Sequence, residues 1–120
     1  MTLTLGINYG GRQDILKAAQ TAIQKFSEKN QLQQHEFEMG LNTSLLPDVD
    51  LLIRTGGEKR LSNFVLWEIS YAELYFTDVL WPDFSLQDLS MAIKDYYGRN
   101  RRFGGDNVGE VDAIEAMKSG

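Results

Sequence analysis

The 120-residue sequence has no cysteine, one histidine and two prolines. The missing cysteines exclude disulfides, thiolate zinc sites and cysteine nucleophiles together. His35 alone cannot build a multi-histidine metal centre, and it is the only imidazole available to a serine-type triad. No apolar run approaches the roughly 18 residues that a membrane span needs. Met1-Thr2-Leu3-Thr4 lacks the basic flank and long apolar stretch of a signal peptide, so the expectation is a cytoplasmic protein. Basic residues are not in surplus either: 12 Lys and Arg against 17 Asp and Glu give a formal net charge of -5. Neutralising a phosphate backbone requires the opposite balance, which argues against nucleic acid as a partner. A local basic cluster can still bind a small anion.

What is present is ordinary for a globular domain, 42% hydrophobic and 24% charged. Leu3 to Asn8 alternates apolar with small or polar residues, the period of a strand with one face buried, and stops at Tyr9-Gly10-Gly11. Ile15, Ala19, Ala22, Ile23 and Phe26 then recur at helical spacing, predicting an amphipathic helix from Arg12 to about Glu28. Phe37, Leu41, Leu45 and Leu46 suggest a shorter helix before Pro47, which biases its predecessor away from helix. Val49 to Arg54 is short and mostly apolar, as in a parallel strand covered on both faces, and runs into Gly56-Gly57. The dense apolar stretch Leu61 to Ile69 predicts a helix buried nearly all round. Tyr71 to Phe76 reads as a third strand, with its aromatics and Trp81 in the core. Trp81-Pro82-Asp83 reads as a loop, and Ser85-Leu86-Gln87-Asp88 has capping-box spacing ahead of a last helix. The fold class expected is α/β, a mainly parallel sheet flanked by helices.

Two strands therefore end in glycine pairs that lead towards helices, and in open α/β sheets ligands bind beyond the carboxyl ends of strands. Free amides at a helix start favour an anion. A Gly-Gly pair is also a common tight turn with no ligand at all. The second pair carries more information, because Arg54, Lys59, Arg60 and Ser62 surround it. Arginine's planar fork suits phosphate oxygens, and a serine hydroxyl can add a hydrogen bond, although Ser62 can equally be a helix cap. Arg54 ends an apolar strand, where an unpaired guanidinium is costly, so a carboxylate or anionic ligand should face it. The spacing is not that of a nucleotide P-loop. Glu68 and Glu73 follow, either as magnesium ligands or in structural ion pairs, since magnesium takes only one or two protein carboxylates. His35 reads as a solvated histidine, and the basic stretch from Arg99 to Arg102 as charge favourable at a helix C-terminus.

At Asp50 to Phe84 the string DLLIRTGGEKRLSNFVLWEISYAELYFTDVLWPDF resembles the C-terminal signature of the cis-prenyltransferases, the undecaprenyl diphosphate synthase family. Asn8-Tyr9-Gly10-Gly11-Arg12 resembles a second family motif and Arg101-Arg102-Phe103-Gly104-Gly105 its terminal one. The resemblance implies condensation of isopentenyl diphosphate with an allylic diphosphate to give cis double bonds, with Mg2+ as cofactor, a hydrophobic tunnel and a homodimer. Carried over by motif, Arg54, Arg60 and Ser62 grip the diphosphate of the isopentenyl substrate, with Leu61 in the same segment. Glu73 helps hold magnesium. The triplet Arg102-Phe103-Gly104 reaches the partner subunit's active site.

The departures from the family pattern set a second expectation. Family members are roughly twice this long, and their N-terminal half carries an Asp-Gly-Asn-Arg-Arg-type motif whose aspartate binds magnesium. No Asp-Gly-Asn-Arg occurs in the 120 residues, and Lys59 stands where many members have His or Gln. Residues 1–105 are thus read as the C-terminal half of a cis-prenyltransferase domain, inactive or nearly so without the missing half, and 106–120 as an acidic, disordered tail. Exposed apolar surface on such a half predicts self-association or partner binding. The competing reading is a non-catalytic partner subunit of a cis-prenyltransferase complex, and a weaker one is a phosphate-binding domain with an unrelated ligand.

Overall fold

The computed structural model describes residues 1–99, in which α1 (Gly11–Lys25), α2 (Gln34–Glu38), β1 (Leu51–Arg54), β2 (Glu73–Phe76), a 3-10 turn (Trp81–Asp83) and α3 (Leu86–Gly98) follow in order. The expectations for Arg102, Gly104 and the 106–120 tail lie outside the described residues. The chain divides into two units, Met1–Asp48 with Arg60–Ser70, and Val49–Lys59 with Tyr71 onward.

In the first unit α1 forms where the helical spacing predicted it, but its buried stripe is rotated. Gly11, Asp14, Ala18 and Ala22 face inward, while Ile23 is exposed. The reason is close packing against small residues: a Cβ at Gly40 would lie 2.8 Å from the Ala18 backbone. Asp14, 3% exposed, accepts the Asn42 N–H with both carboxylate oxygens at 3.0 and 3.2 Å. The short α2 begins with a capping box of Gln33 and Glu36, and the Lys29 ammonium pairs with Glu36. Phe37 and Trp67 rings lie 4.7 Å apart, and the Trp67 indole N–H donates to Glu38 Oε1 at 3.0 Å. Leu45 and Leu46 lie beyond α2 in turns rather than on a helix.

Two predicted elements of this unit do not form. Leu3 to Asn8 is not a strand, and Leu3, Leu5 and Ile7 are 77%, 71% and 82% exposed. Alternation supplies a strand with one face to bury, but the described part of this unit contains no strand to pair with it. Leu61 to Ile69 is a chain of turns instead of a helix, and Phe64 is exposed. Ser62, Asn63 and Val65 have φ of +53°, +63° and +40°, the left-handed region that breaks a right-handed helix.

In the second unit β1 and β2 pair in parallel, Leu51 opposite Glu73 and Arg54 opposite Phe76. All eight strand residues are half-buried, so β1 is not covered on both faces as its apolar run predicted. Tyr71 and Trp81 are exposed rather than core, and residues 81–83 make a 3-10 turn in place of a loop. α3 starts as its sequence predicts: the Ser85 hydroxyl accepts the Asp88 N–H at 3.2 Å, and Asp88 Oδ2 accepts the Ser85 N–H at 2.8 Å. No described helix is long and apolar enough to cross a membrane.

Candidate functional site

Arg54 is the last residue of β1, and the ladder continues past it because its carbonyl accepts the Thr77 N–H at 3.0 Å. Gly56 and Gly57 then turn the chain with φ of +85° and +79°, values that glycine adopts without steric cost. Their amides are already committed, Gly56 N–H to the Val79 carbonyl at 2.9 Å and Gly57 N–H to the Thr77 carbonyl at 3.0 Å. This turn is therefore no backbone cradle for an anion. At this end of β1 the half-buried Arg54 guanidinium supplies a planar, bidentate set of donors for an anion. An apolar groove runs over Ile53, Thr55, Trp81, Phe84, Leu86 and Leu89, on the strand face that Ile53 and Thr55 share.

In the first unit, the exposed Ser62 lies on a tight turn in which Phe64 N–H donates to the Leu61 carbonyl at 3.3 Å, and the exposed Arg60 immediately precedes that turn. Both central residues, Ser62 and Asn63, have positive φ, the signature of a type I′ turn. Each left-handed non-glycine residue costs about 1–2 kcal/mol, and Val65, β-branched, sits least comfortably there. Ser62 is therefore a turn residue and does not cap a helix. The strained turn is held from outside. The Asn63 carbonyl accepts Gly11 N–H at 2.6 Å, its Oδ1 accepts Arg12 N–H at 2.8 Å, and its Nδ2 donates to Gln13 Oε1 at 2.9 Å. The two amides that open α1 are thereby satisfied, and the first glycine pair is no anion cradle either. Its glycines are explained by close approach: a Cβ on Gly11 would meet Leu66 Cγ at 2.8 Å, and one on Gly10 would meet Asn63 Nδ2 at 2.9 Å.

Glu73 opens β2, and its Oε2 accepts from Arg99 Nη1 at 2.9 Å. Arg99 also donates to Asp95 Oδ2 from Nε at 2.8 Å and from Nη2 at 2.6 Å. The Glu73 hydrogen bond, then that of Asp95, raises the Arg99 pKa above its ordinary value. Arg99 thus binds two carboxylates rather than only offering charge to a helix end. Among the described residues no three or more Asp, Glu or His side chains gather as a metal-binding group. Glu73 still fits a cation of the magnesium type, which takes few carboxylates with phosphate oxygens and water. Its side chain is 25% exposed, leaving it open to water.

A prenyltransferase family model that describes undecaprenyl diphosphate synthases matches residues 1–104. The chain belongs to the undecaprenyl diphosphate synthase family. It is 54% identical over 104 residues to an isoprenyl transferase of Treponema denticola, covering 85% of this chain and 44% of that protein. It is 50% identical over 118 residues to the ditrans,polycis-undecaprenyl-diphosphate synthase of Escherichia coli, covering 94% and 46%. Among solved structures, lavandulyl diphosphate synthase from Lavandula x intermedia in complex with dimethylallyl diphosphate superposes with a TM-score of 0.76 at 42% identity. That match covers 82% of this chain and 44% of the other. The chain spans less than half the length of the curated relatives it matches.

In this undecaprenyl diphosphate synthase family chain, Leu61 and Ser62 lie on one turn of the first unit with Arg60 directly before it, while Arg54 and Glu73 lie on β1 and β2 of the second. Glu68 has a structural environment: it accepts from the Thr43 hydroxyl and lies near the Tyr9 phenol. His35 is exposed. Sequence reasoning missed Asp14, Asn63 and Arg99 as the residues that hold the motif segments in place. An acidic residue on the same helical face as Gly11 and Ala18 was the available signal for Asp14. For Asn63 it was the tolerance of asparagine for positive φ.

Proposed function

We propose that the chain carries the isopentenyl diphosphate half of a cis-prenyltransferase, with Arg54, Arg60 and Ser62 binding the diphosphate and Leu61 in the same segment. The observation that supports this reading is the commitment of the Gly11, Gly56 and Gly57 amides to carbonyls of the chain, which takes them out of anion binding and favours the side chains that the family motif names. A diphosphate is a dense anion that needs charged, bidentate donors, and two of the three residues are arginines. Glu73 would hold Mg2+, whose chemistry when bound is to neutralise diphosphate charge as the diphosphate leaves the allylic carbon. The protein's own contribution is positioning of donors and carboxylate.

The allylic diphosphate and the aspartate motif belong to the remainder of a family member's length, so turnover needs that half, and the working enzyme is a homodimer in the cytoplasm. Calorimetric titration with isopentenyl diphosphate and Mg2+ tests the site: heat from the wild-type chain and much less from Arg54→Ala is expected, and equal heats from both refute it. Radiolabelled isopentenyl diphosphate with farnesyl diphosphate and Mg2+ should give no polyprenyl product with the 120 residues alone. A second reading, a non-catalytic partner subunit, draws on the engagement of Glu73 by Arg99. It predicts that supplying the aspartate-motif half restores no turnover.

A further inference from the structure

We infer that Asn63 is a positioning residue for the diphosphate site: by fastening the Leu61–Phe64 turn to the start of α1, it fixes where Arg60 and Ser62 present their donors. The inference rests on the reading that those two side chains bind diphosphate. Three features of the first unit carry it. The turn and the residue after it are disfavoured by their own backbone, since Ser62 and, just beyond the turn, the β-branched Val65 hold positive φ, while Asn63 tolerates it. Such a conformation persists only where the surroundings over-determine it. The surroundings are three hydrogen bonds: Asn63 accepts from Gly11 N–H at 2.6 Å and Arg12 N–H at 2.8 Å, and donates to Gln13 Oε1 at 2.9 Å. The opposite wall is close as well, because a Cβ on Gly11 would meet Leu66 Cγ at 2.8 Å and the Asn63 carbonyl at 3.1 Å.

Asn63 therefore stands one residue from Ser62 and three from Arg60, with its own polar groups turned away from any ligand and into the start of a 15-residue helix. Two exposed donors on a free turn would sample many orientations. On a fastened turn the conformational entropy of ordering them is already spent before an anion arrives. The glycines of the Asn8-Tyr9-Gly10-Gly11-Arg12 motif and the asparagine that follows Ser62 then form one device, although they lie some 50 residues apart, as the separation of 51 between Arg12 and Asn63 records.

The test is calorimetric titration of the full 120-residue chain with isopentenyl diphosphate and Mg2+, alongside thermal melting. Asn63→Gly keeps the backbone conformation accessible and removes only the side-chain bonds. It is expected to weaken binding about five- to tenfold, the scale of one or two lost hydrogen bonds. Gly11→Ala pushes against the turn from the helix side and is expected to weaken binding similarly, and it reads the same displacement should Asn63→Gly fail to fold. Combining Asn63→Gly with Ser62→Ala should cost little more than the larger single loss, because a displaced turn no longer aims the hydroxyl. A merely structural asparagine would lower the melting temperature while its effect on binding added independently to that of Ser62→Ala, which overturns the inference. Wild-type affinity in both Asn63→Gly and Gly11→Ala, with Arg60→Ala weakened, overturns it alone. Wild-type affinity in Arg60→Ala overturns the diphosphate reading, and this inference with it.

Discussion

Arg99 Nη1 lies 2.9 Å from Glu73 Oε2 while its Nε and Nη2 both hold Asp95, so one guanidinium ties the start of β2 to the last turn of α3. The carboxylate proposed above for magnesium is thus already paired with a cation of the chain itself. Arg99→Gln is expected to cost about 0.5–1 kcal/mol in urea denaturation, the range for a partly exposed pair, and less at high salt. It also leaves Glu73 without its cation, so added Mg2+ should raise the melting temperature of Arg99→Gln more than that of the wild type. Glu73→Gln in the same background should abolish the difference. An equal Mg2+ response in Arg99→Gln and wild type would show that the two cations do not compete.

Arg54 gives a sharper test because the chemistry at the end of β1 distinguishes a fork from a point charge. Arg54→Ala is expected to weaken isopentenyl diphosphate by tenfold or more, consistent with about 1.5–3 kcal/mol for a hydrogen bond to a charged group. Arg54→Lys restores the charge without the bidentate geometry and should recover only part of that loss. Full recovery by lysine in the same titration would mean that charge alone holds the ligand.

How far these features could be read from the sequence depended on whether a local rule or a distant partner decided them. The Ser85 and Asp88 capping box, α1 and the two strands follow from spacing and side-chain chemistry within a few residues, and they form. The segment from Leu61 to Ile69 does not follow its apolar density, because Asn63 draws the chain into a left-handed turn through bonds to residues about 50 positions earlier. The same distance hid the roles of Gly10 and Gly11, which a sequence-local argument takes for an anion cradle. Asp14 escaped notice for a related reason: its partner is Asn42, in a turn whose position no periodicity predicts. Arg54, Arg60, Ser62 and Glu73 stood out in the sequence as anion and cation candidates, but only the family resemblance proposes a diphosphate for them, since nothing in their spacing separates a diphosphate site from a solvated basic loop.

Tyr9 provides a pH-dependent test of the first unit. Burial first, then the charges of Glu68 and Asp14 and a hydrogen bond to Asp14, push its phenol from an ordinary 10.0 up to about 12. The folded chain therefore holds this proton more tightly than the unfolded chain. The resulting stabilisation is complete below pH 10 and is lost as pH rises from about 10 to about 12, where the unfolded chain has released the proton first. Tyr9→Phe should flatten this alkaline loss in denaturant titrations at pH 9 to pH 11, while lowering stability at neutral pH by about 1–2 kcal/mol through the lost bond to Asp14. Parallel pH profiles for the two proteins would place the proton elsewhere.

The exposure of Leu3, Leu5 and Ile7 leads to a prediction about assembly. At 71% to 82% exposure these three side chains leave apolar surface in water beside backbone groups outside any ladder. Covering it gains about 25 cal/mol per Å2 of apolar surface removed from water, and a second chain can supply the cover by strand pairing. Light scattering should give a mass above that of one chain, rising with concentration. Replacing Leu3, Leu5 and Ile7 together by serine should restore the monomer while leaving the melting temperature nearly unchanged, since none of the three is buried. A monomeric wild-type chain at high concentration would show that this surface does not recruit a second copy.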